Sequence, residues 1–191
     1  MITRTSFARS EWDPSDFRYI YSPKCRDLPE FVQEDDCIVN RGGPEAGTYD
    51  YVSMITRRKL LSGTAITTHC SFEKYGAPLI VLTDDVRRGK TGELRFGFHM
   101  EIVAYENGVN VWHLEPKPGD VKAEAIRREK FTVPAGKIIT LTVRPMGKKL
   151  EITLDNYSFT VETDYLPQKF YAGITACEGI NRFYDFVTDE A

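Results

Sequence analysis

The stretch from Glu93 to Leu114 reads ELRFGFHMEIVAYENGVNVWHL. Leu94, Phe96, Phe98, Met100, Ile102 and Ala104 alternate with Arg95, Gly97, His99, Glu101, Val103 and Tyr105. Period-two alternation of this length predicts one continuous strand with a buried face. Glu106-Asn107-Gly108 then predicts a tight turn, and the return strand carries Trp112. The odd-numbered face is unusual. It offers an imidazole, a carboxylate and a phenol, with an indole on the next strand, which is more chemistry than a plain solvated face needs.

Working outward, strand follows strand. Cys37–Val39, Tyr49–Arg58 and Ala65–Tyr75 precede the quoted stretch, and Arg41-Gly42-Gly43-Pro44 breaks the first from the second. Leu79–Thr83 is a continuous apolar run, as expected of a strand buried on both faces. Val121–Val133, Ile138–Arg144, Lys149–Leu154, Ser158–Thr163, Tyr171–Cys177 and Arg182–Val187 follow, with turns at Met146-Gly147-Lys148 and Asp155-Asn156. Ile139, Leu141 and Val143, then Leu150, Ile152 and Leu154, then Phe159 and Val161, form core-facing sets. No amphipathic helix longer than two turns is present in the pattern. About a dozen strands with short turns predict an all-β, two-sheet antiparallel sandwich, because sheets apolar on one face must pack face to face. Such a sandwich is expected to curve and leave one outer face concave.

Residues 1–36 contain breaker signals in WDPSDF, SPK and DLPEF. They predict an irregular N-terminal extension that packs Trp12, Phe17, Tyr19, Tyr21 and Phe31 on a sandwich domain of residues 37–191.

A chain of 191 residues suits one domain and buries a core without staples. The net charge of −3 and the lack of a basic stripe argue against nucleic-acid binding. No apolar run suggests an export signal or a membrane span, so a cytoplasmic location is expected. Cys25, Cys37, Cys70 and Cys177 show no CxxC spacing and are expected as free thiols, with Cys70 in the core. No cofactor motif is present. Asp84-Asp85 after LIVLT is a candidate calcium pair, although no DxDxDG loop accompanies it.

The strand order, the hairpin GKKLEITLDNYSFTVE and the closing YAGITACEGINRFYDFV resemble the concanavalin A-like lectin/glucanase jelly roll over roughly residues 37–188. The resemblance implies that two-sheet fold. The laminarinase-like retaining glycosidases of this superfamily carry a strand Glu-x-Asp-x-x-Glu or Glu-x-Asp-x-Glu. Laid on HMEIVAYENG, Glu101 matches the first carboxylate, but Val103 and Tyr105 occupy the other two positions. Glu106 matches only the longer form, and on a regular strand it faces away from Glu101. The pattern therefore departs from two-carboxylate hydrolysis.

The site candidates follow from residue chemistry. Glu101 is an acceptor for sugar hydroxyls or a lone general base; the alternative is a surface ion pair with Arg95 or a cross-strand Lys. His99 donates and accepts at neutral pH, or is a structural histidine. His69 joins them if residues 65–75 and 94–105 are neighbours in one sheet. Trp112 stacks on a pyranose or sits in the core. Asn110 shares its face and suits vicinal hydroxyls. Tyr105 adds a phenol, and Arg57 is placed to grip an acidic sugar or to sit as a rim charge. His113 faces the other way. The expectation is a protein that binds a mono- or oligosaccharide on the concave face, or else a hydrolase or lyase using Glu101 and His99. No nucleic acid, membrane or metal partner is expected.

Overall fold

A computed structural model describes residues 1–21, 30–41, 49–90, 92–117 and 120–190, without the side chains of Tyr21, Tyr49, Asp50 and Asp120. Cys25 and the expected break at Gly42–Pro44 lie outside the described residues. The described strands are, in chain order, β1 (Ile2–Ser6), β2 (Phe17–Tyr21), β3 (Val32–Gln33), β4 (Ile38–Val39), β5 (Tyr49–Thr56), β6 (Leu60–Leu61) and β7 (Ala65–Phe72). Then come β8 (Pro78–Thr83), β9 (Val86–Arg88), β10 (Leu94–Phe96), β11 (His99–Tyr105), β12 (Gly108–Lys117) and β13 (Asp120–Lys130). The last are β14 (Ile139–Met146), β15 (Lys149–Leu154), β16 (Tyr157–Glu162), β17 (Lys169–Glu178), β18 (Asn181–Phe183) and β19 (Asp185–Asp189). Among the described residues the only helical element is a 3-10 turn at Pro14–Asp16, opened by Pro14 and capped by the Asp13 carboxylate on the Ser15 N–H. No helix there is long and apolar enough to cross a membrane.

The strands form two sheets packed face to face. One runs β16-β15-β14-β7-β18-β4-β3, with β19 beside β7 and β1 beside β19. The other runs β13-β12-β11-β8-β17-β5-β2-β10-β9, with β6 against β17. All described pairings except β2–β10 are antiparallel. Between the sheets Ile66, Cys70, Phe72, Leu141 and Val143 meet Ile80, Leu82, Met100, Ile102 and Ile174. Each such side chain contributes about 1.5–3 kcal/mol when fully buried, so one continuous core sets the relation of the sheets. The predicted sets of β14 and β15 all point into it.

Two expectations are corrected. Residues 1–36 are not irregular throughout: β1 extends one sheet, β2 lies inside the other, and Phe7, Phe17 and Phe31 belong to the main core. Trp12 and Tyr19 pack partly buried against that core. The pattern in FRYIY supports β2 through Phe17 and Tyr19, but the flanking breakers mask it.

The second correction decides the site. Glu93–Tyr105 is not one strand. It breaks at Gly97-Phe98 into β10 and β11, which pair with different partners. Asp85 causes the break. Its carbonyl accepts the Gly97 N–H at 2.7 Å and its carboxylate accepts the Phe98 N–H at 3.1 Å, while Thr83 donates its hydroxyl to the Phe98 carbonyl at 2.7 Å. The carboxylate fits only because residue 97 lacks a side chain: a Cβ there would lie 2.0 Å from Asp85 Oδ2. A break of this kind changes the phase of alternation. Phe98, expected in the core, is 44% exposed, and Phe96 lies on the same side as His99.

Candidate functional site: a groove on one flank of the ten-stranded sheet

Pairing registers place the outward residues of the ten-stranded sheet in rows. One row runs Arg18–Ile55–Gly173–Val81–Glu101–Trp112. The next runs Ile20–Ser53–Thr175–Leu79–Val103–Asn110. His99 stands opposite Leu114, one row further on. The two ends of these rows differ. Ile20, Ile55, Leu79, Val81 and Phe96 form a second apolar cluster and are nearly inaccessible although they face away from the main core. Tyr171 packs on that cluster, with the Arg18 guanidinium 4.5 Å from its ring centre. This half of the face is filled by the protein itself, which explains why all six residues of β8 are buried.

The β11–β13 half is open. A groove of about 410 Å3 there is lined by His99, Glu101, Tyr105, Asn110 and Trp112, together with rim residues from β5, β13, β17 and the loop before β8. Five of the seven predicted site residues are thus brought together. His99 and Glu101 form its floor rather than its wall, at 4% and 8% exposure. The His99 ring stacks on Phe96 at 4.5 Å, and its Nδ1 lies 2.8 Å from the Gly97 carbonyl oxygen. A carbonyl only accepts, so Nδ1 carries a proton and donates. Nε2 consequently faces Glu101 Oε1, at 3.5 Å. The pair can hold or pass a proton at Nε2, or present acceptors to a ligand. Trp112 sits partly exposed where β13 bulges, between the Val111–Arg127 and Trp112–Ala125 pairs. The Arg128 guanidinium covers it at 5.1 Å. Asn110 Oδ1 is buried and accepts no hydrogen bond.

Two predicted residues are elsewhere, and both are corrections. His69 lies on β7, in the other sheet. Its Nδ1 donates to the buried carboxylate of Asp185 at 2.9 Å, which Arg4 also holds at 2.9 Å, so this imidazole is occupied as a hydrogen-bond donor to a buried acid. Arg57 donates from Nε to the Ser15 carbonyl and lines a separate hollow of about 340 Å3 with Asp16, Phe17 and Phe186. Strand phase was right for His69 but its sheet was not readable locally; Arg57 lies just past the end of β5, beside an N-terminal segment whose path was not readable either. His113 does face away from Trp112 and stacks on Tyr165 at 3.6 Å; burial lowers its pKa. Asp85 is engaged by Arg87 Nε and by the Phe98 N–H, both at 3.1 Å. Among the described residues no group of three or more His, Cys, Asp or Glu could hold a metal.

Sequence reasoning missed Tyr51 and Tyr75, which line the groove rim. Both have left-handed backbones, with φ of 45° and 70°. For non-glycine residues this costs on the order of 1 kcal/mol or more and gathers at binding sites. The Gly after Tyr75 was the available signal: a Cβ at Gly76 would meet Phe72 Cβ at 2.6 Å and Ile180 O at 2.8 Å, so the turn is closely packed.

Two further acids, Glu106 and Glu178, also line the groove. From Glu101 to Tyr105 the strand spans about 13 Å, and Glu106 lies beyond it. Glu178 follows the Ala176 register shift on β17, level with that same far end. Retaining and inverting glycosidases hold their carboxyls about 5–5.5 Å and 6.5–9.5 Å apart. Glu101 pairs with Trp112 and Val81, so no carboxylate stands directly beside it on either neighbouring strand.

No protein-family model and no curated protein sequence matches the chain. Solved structures do. A glycoside hydrolase family 16 endo-glucanase from Bacteroides ovatus superposes with a TM-score of 0.64 at 12% identity, over 97% of this chain and 98% of that one. Carbohydrate binding module CBM66 from Bacillus subtilis gives 0.61 at 12% identity, over 88% and 92%. The exoplasmic/lumenal domain of VIP36, in its Ca2+/Man3GlcNAc-bound form, gives 0.58 at 11% identity, over 98% and 88%. The chain has the concanavalin A-like jelly-roll fold. Proteins that share it include carbohydrate-binding modules and glycoside hydrolases.

Proposed function

We propose that this protein binds a short saccharide, or the end of a longer one, in the β11–β13 groove. The observation that carries this reading is the floor itself: Glu101, His99 and Asn110 beside Trp112 in a groove of about 410 Å3. The indole supplies an apolar face for a sugar ring, and the polar groups converge on its hydroxyls. The filled half of the sheet closes the groove on one side, so a long chain crossing the whole face does not fit this reading. Neighbouring folds that carry sugars support the substrate class. Few contacts and a half-covered indole imply modest affinity, with a Kd of about 1 mM to 10 µM.

Calorimetry against mono- and oligosaccharides tests the proposal. Binding that is lost in both Trp112→Ala and Glu101→Ala is expected. Binding that both variants leave unchanged would contradict it.

A second reading, a hydrolase or lyase, is favoured by one contact: His99 Nε2 facing Glu101 Oε1 at 3.5 Å. It requires the pair to move a proton, since Val81 and Trp112, the residues paired with Glu101, carry no carboxylate. Turnover of an oligosaccharide that vanishes in His99→Gln and Glu101→Gln supports it, and full turnover by both removes it.

A further inference from the structure

We infer that the saccharide taken by this groove carries a positive charge, as an amino sugar with a free ammonium group does, rather than a uronic or sulfated one. The inference rests on the saccharide reading above and adds the charge of the ligand. Three observations converge on it. The groove is lined by Glu101, Glu106 and Glu178 and by no Lys or Arg among the described residues. Its floor is rich in acceptors. Glu101 is 8% exposed beside His99, and Asn110, whose buried Oδ1 accepts no hydrogen bond, is its diagonal neighbour on the adjacent strand. Finally, the arginine best suited by sequence to grip an acidic sugar, Arg57, opens on a different hollow.

The physics favours a cationic donor. A ligand seated over Glu101 removes the little water that reaches it, and a desolvated carboxylate needs a donor in return. A hydroxyl offers one donor, whereas an ammonium offers three with a full charge and forms the stronger charge-assisted bond. An anionic sugar seated there would instead meet the Glu101 carboxylate. Among the described cations, Arg128 stands 5.1 Å over the Trp112 ring and Lys74 4.9 Å over the Tyr75 ring. Both are exposed on the rim, where salt and water screen them.

Three probes of equal length decide the matter: oligomers of glucosamine, of N-acetylglucosamine and of galacturonic acid, titrated calorimetrically into the full chain at low and high salt. The glucosamine oligomer is expected to bind about tenfold tighter than its acetylated form, with that advantage shrinking in high salt and the uronate not binding. Glu101→Gln should bring the free-amine and acetylated oligomers to the same affinity. Equal affinity for the acetylated and free amines, or tighter binding of the uronate, overturns the charge inference and leaves the saccharide reading standing. No heat with any of the three, nor with neutral glucans and fructans, defeats both. The wild-type comparison stands even if the variant fails to fold.

Discussion

The two halves of one sheet face, built from neighbouring strands, have opposite fates. On the β2–β5–β17–β8 side, Ile20, Ile55, Leu79 and Val81 turn outward and are sealed by Phe96 and Tyr171. On the β11–β12 side, His99, Glu101, Asn110 and Trp112 turn outward and line a groove. The difference does not come from the central strands β8 and β11, which pair in unbroken register. It comes from one phase change at Gly97-Phe98, which swings Phe96 onto the outer face and sets its ring against His99. A local irregularity held by Asp85 thus decides how much of the face remains for a ligand.

Removing the seal should have the largest effect. Phe96→Ala deletes a ring that is 5% exposed between the filled half and the groove floor. It is expected to cost about 3–5 kcal/mol in denaturant unfolding and to widen the groove. A loss below about 1 kcal/mol would mean that Phe96 is not the seal.

The break itself comes next. Gly97→Ala forces a Cβ into the Asp85 carboxylate and should cost about 2 kcal/mol, with His99 released from the Gly97 carbonyl. An unperturbed variant would show that the clasp adapts and that the division of the face has another cause.

Trp112→Ala acts on the open half. It should weaken saccharide binding by about 2 kcal/mol, roughly thirtyfold, at a much smaller cost in folding, as measured by calorimetry and denaturant unfolding together. The reverse pattern, a large folding loss with binding retained, would make Trp112 a structural residue.

Asp85→Asn gives the smallest effect and a pH signature. The Arg87 guanidinium holds the Asp85 carboxyl below the ordinary value of 3.8; burial opposes it and the Phe98 N–H assists. A depressed folded-state pKa stabilises fully above the unfolded value and is lost as pH falls through the folded one. Wild type should therefore exceed the variant by about 1 kcal/mol at pH 7, and the gap should close below about pH 4. A gap that persists at pH 2 would mean that the charge is not what holds the clasp.

The sheet sandwich was legible because period-two alternation is a local property. β14, β15 and the β11–β12 hairpin follow it residue by residue, and so do Glu101, Asn110 and Trp112 on the outer face. Three things were not legible. The phase change at Gly97 depends on Asp85, twelve positions earlier, and alternation alone does not reveal a contact made across a loop. The placing of His69 required knowing that β7 joins β14 and β18 rather than β11, which is a matter of topology. Tyr51 and Tyr75 owe their rim positions to left-handed backbones that no side-chain pattern announces. Asp85, one of the pair read as a candidate calcium site, organises the break that shapes the groove.

The most direct test is an NMR titration of the labelled protein with a saccharide selected by calorimetry, following the Trp112 indole and the backbone amides of both halves. The account predicts shifts confined to β11, β12 and the rim at Tyr51 and Tyr75, with Ile55, Val81 and Tyr171 unmoved. Shifts centred on the filled half, or an unmoved Trp112 at saturating saccharide, would contradict it.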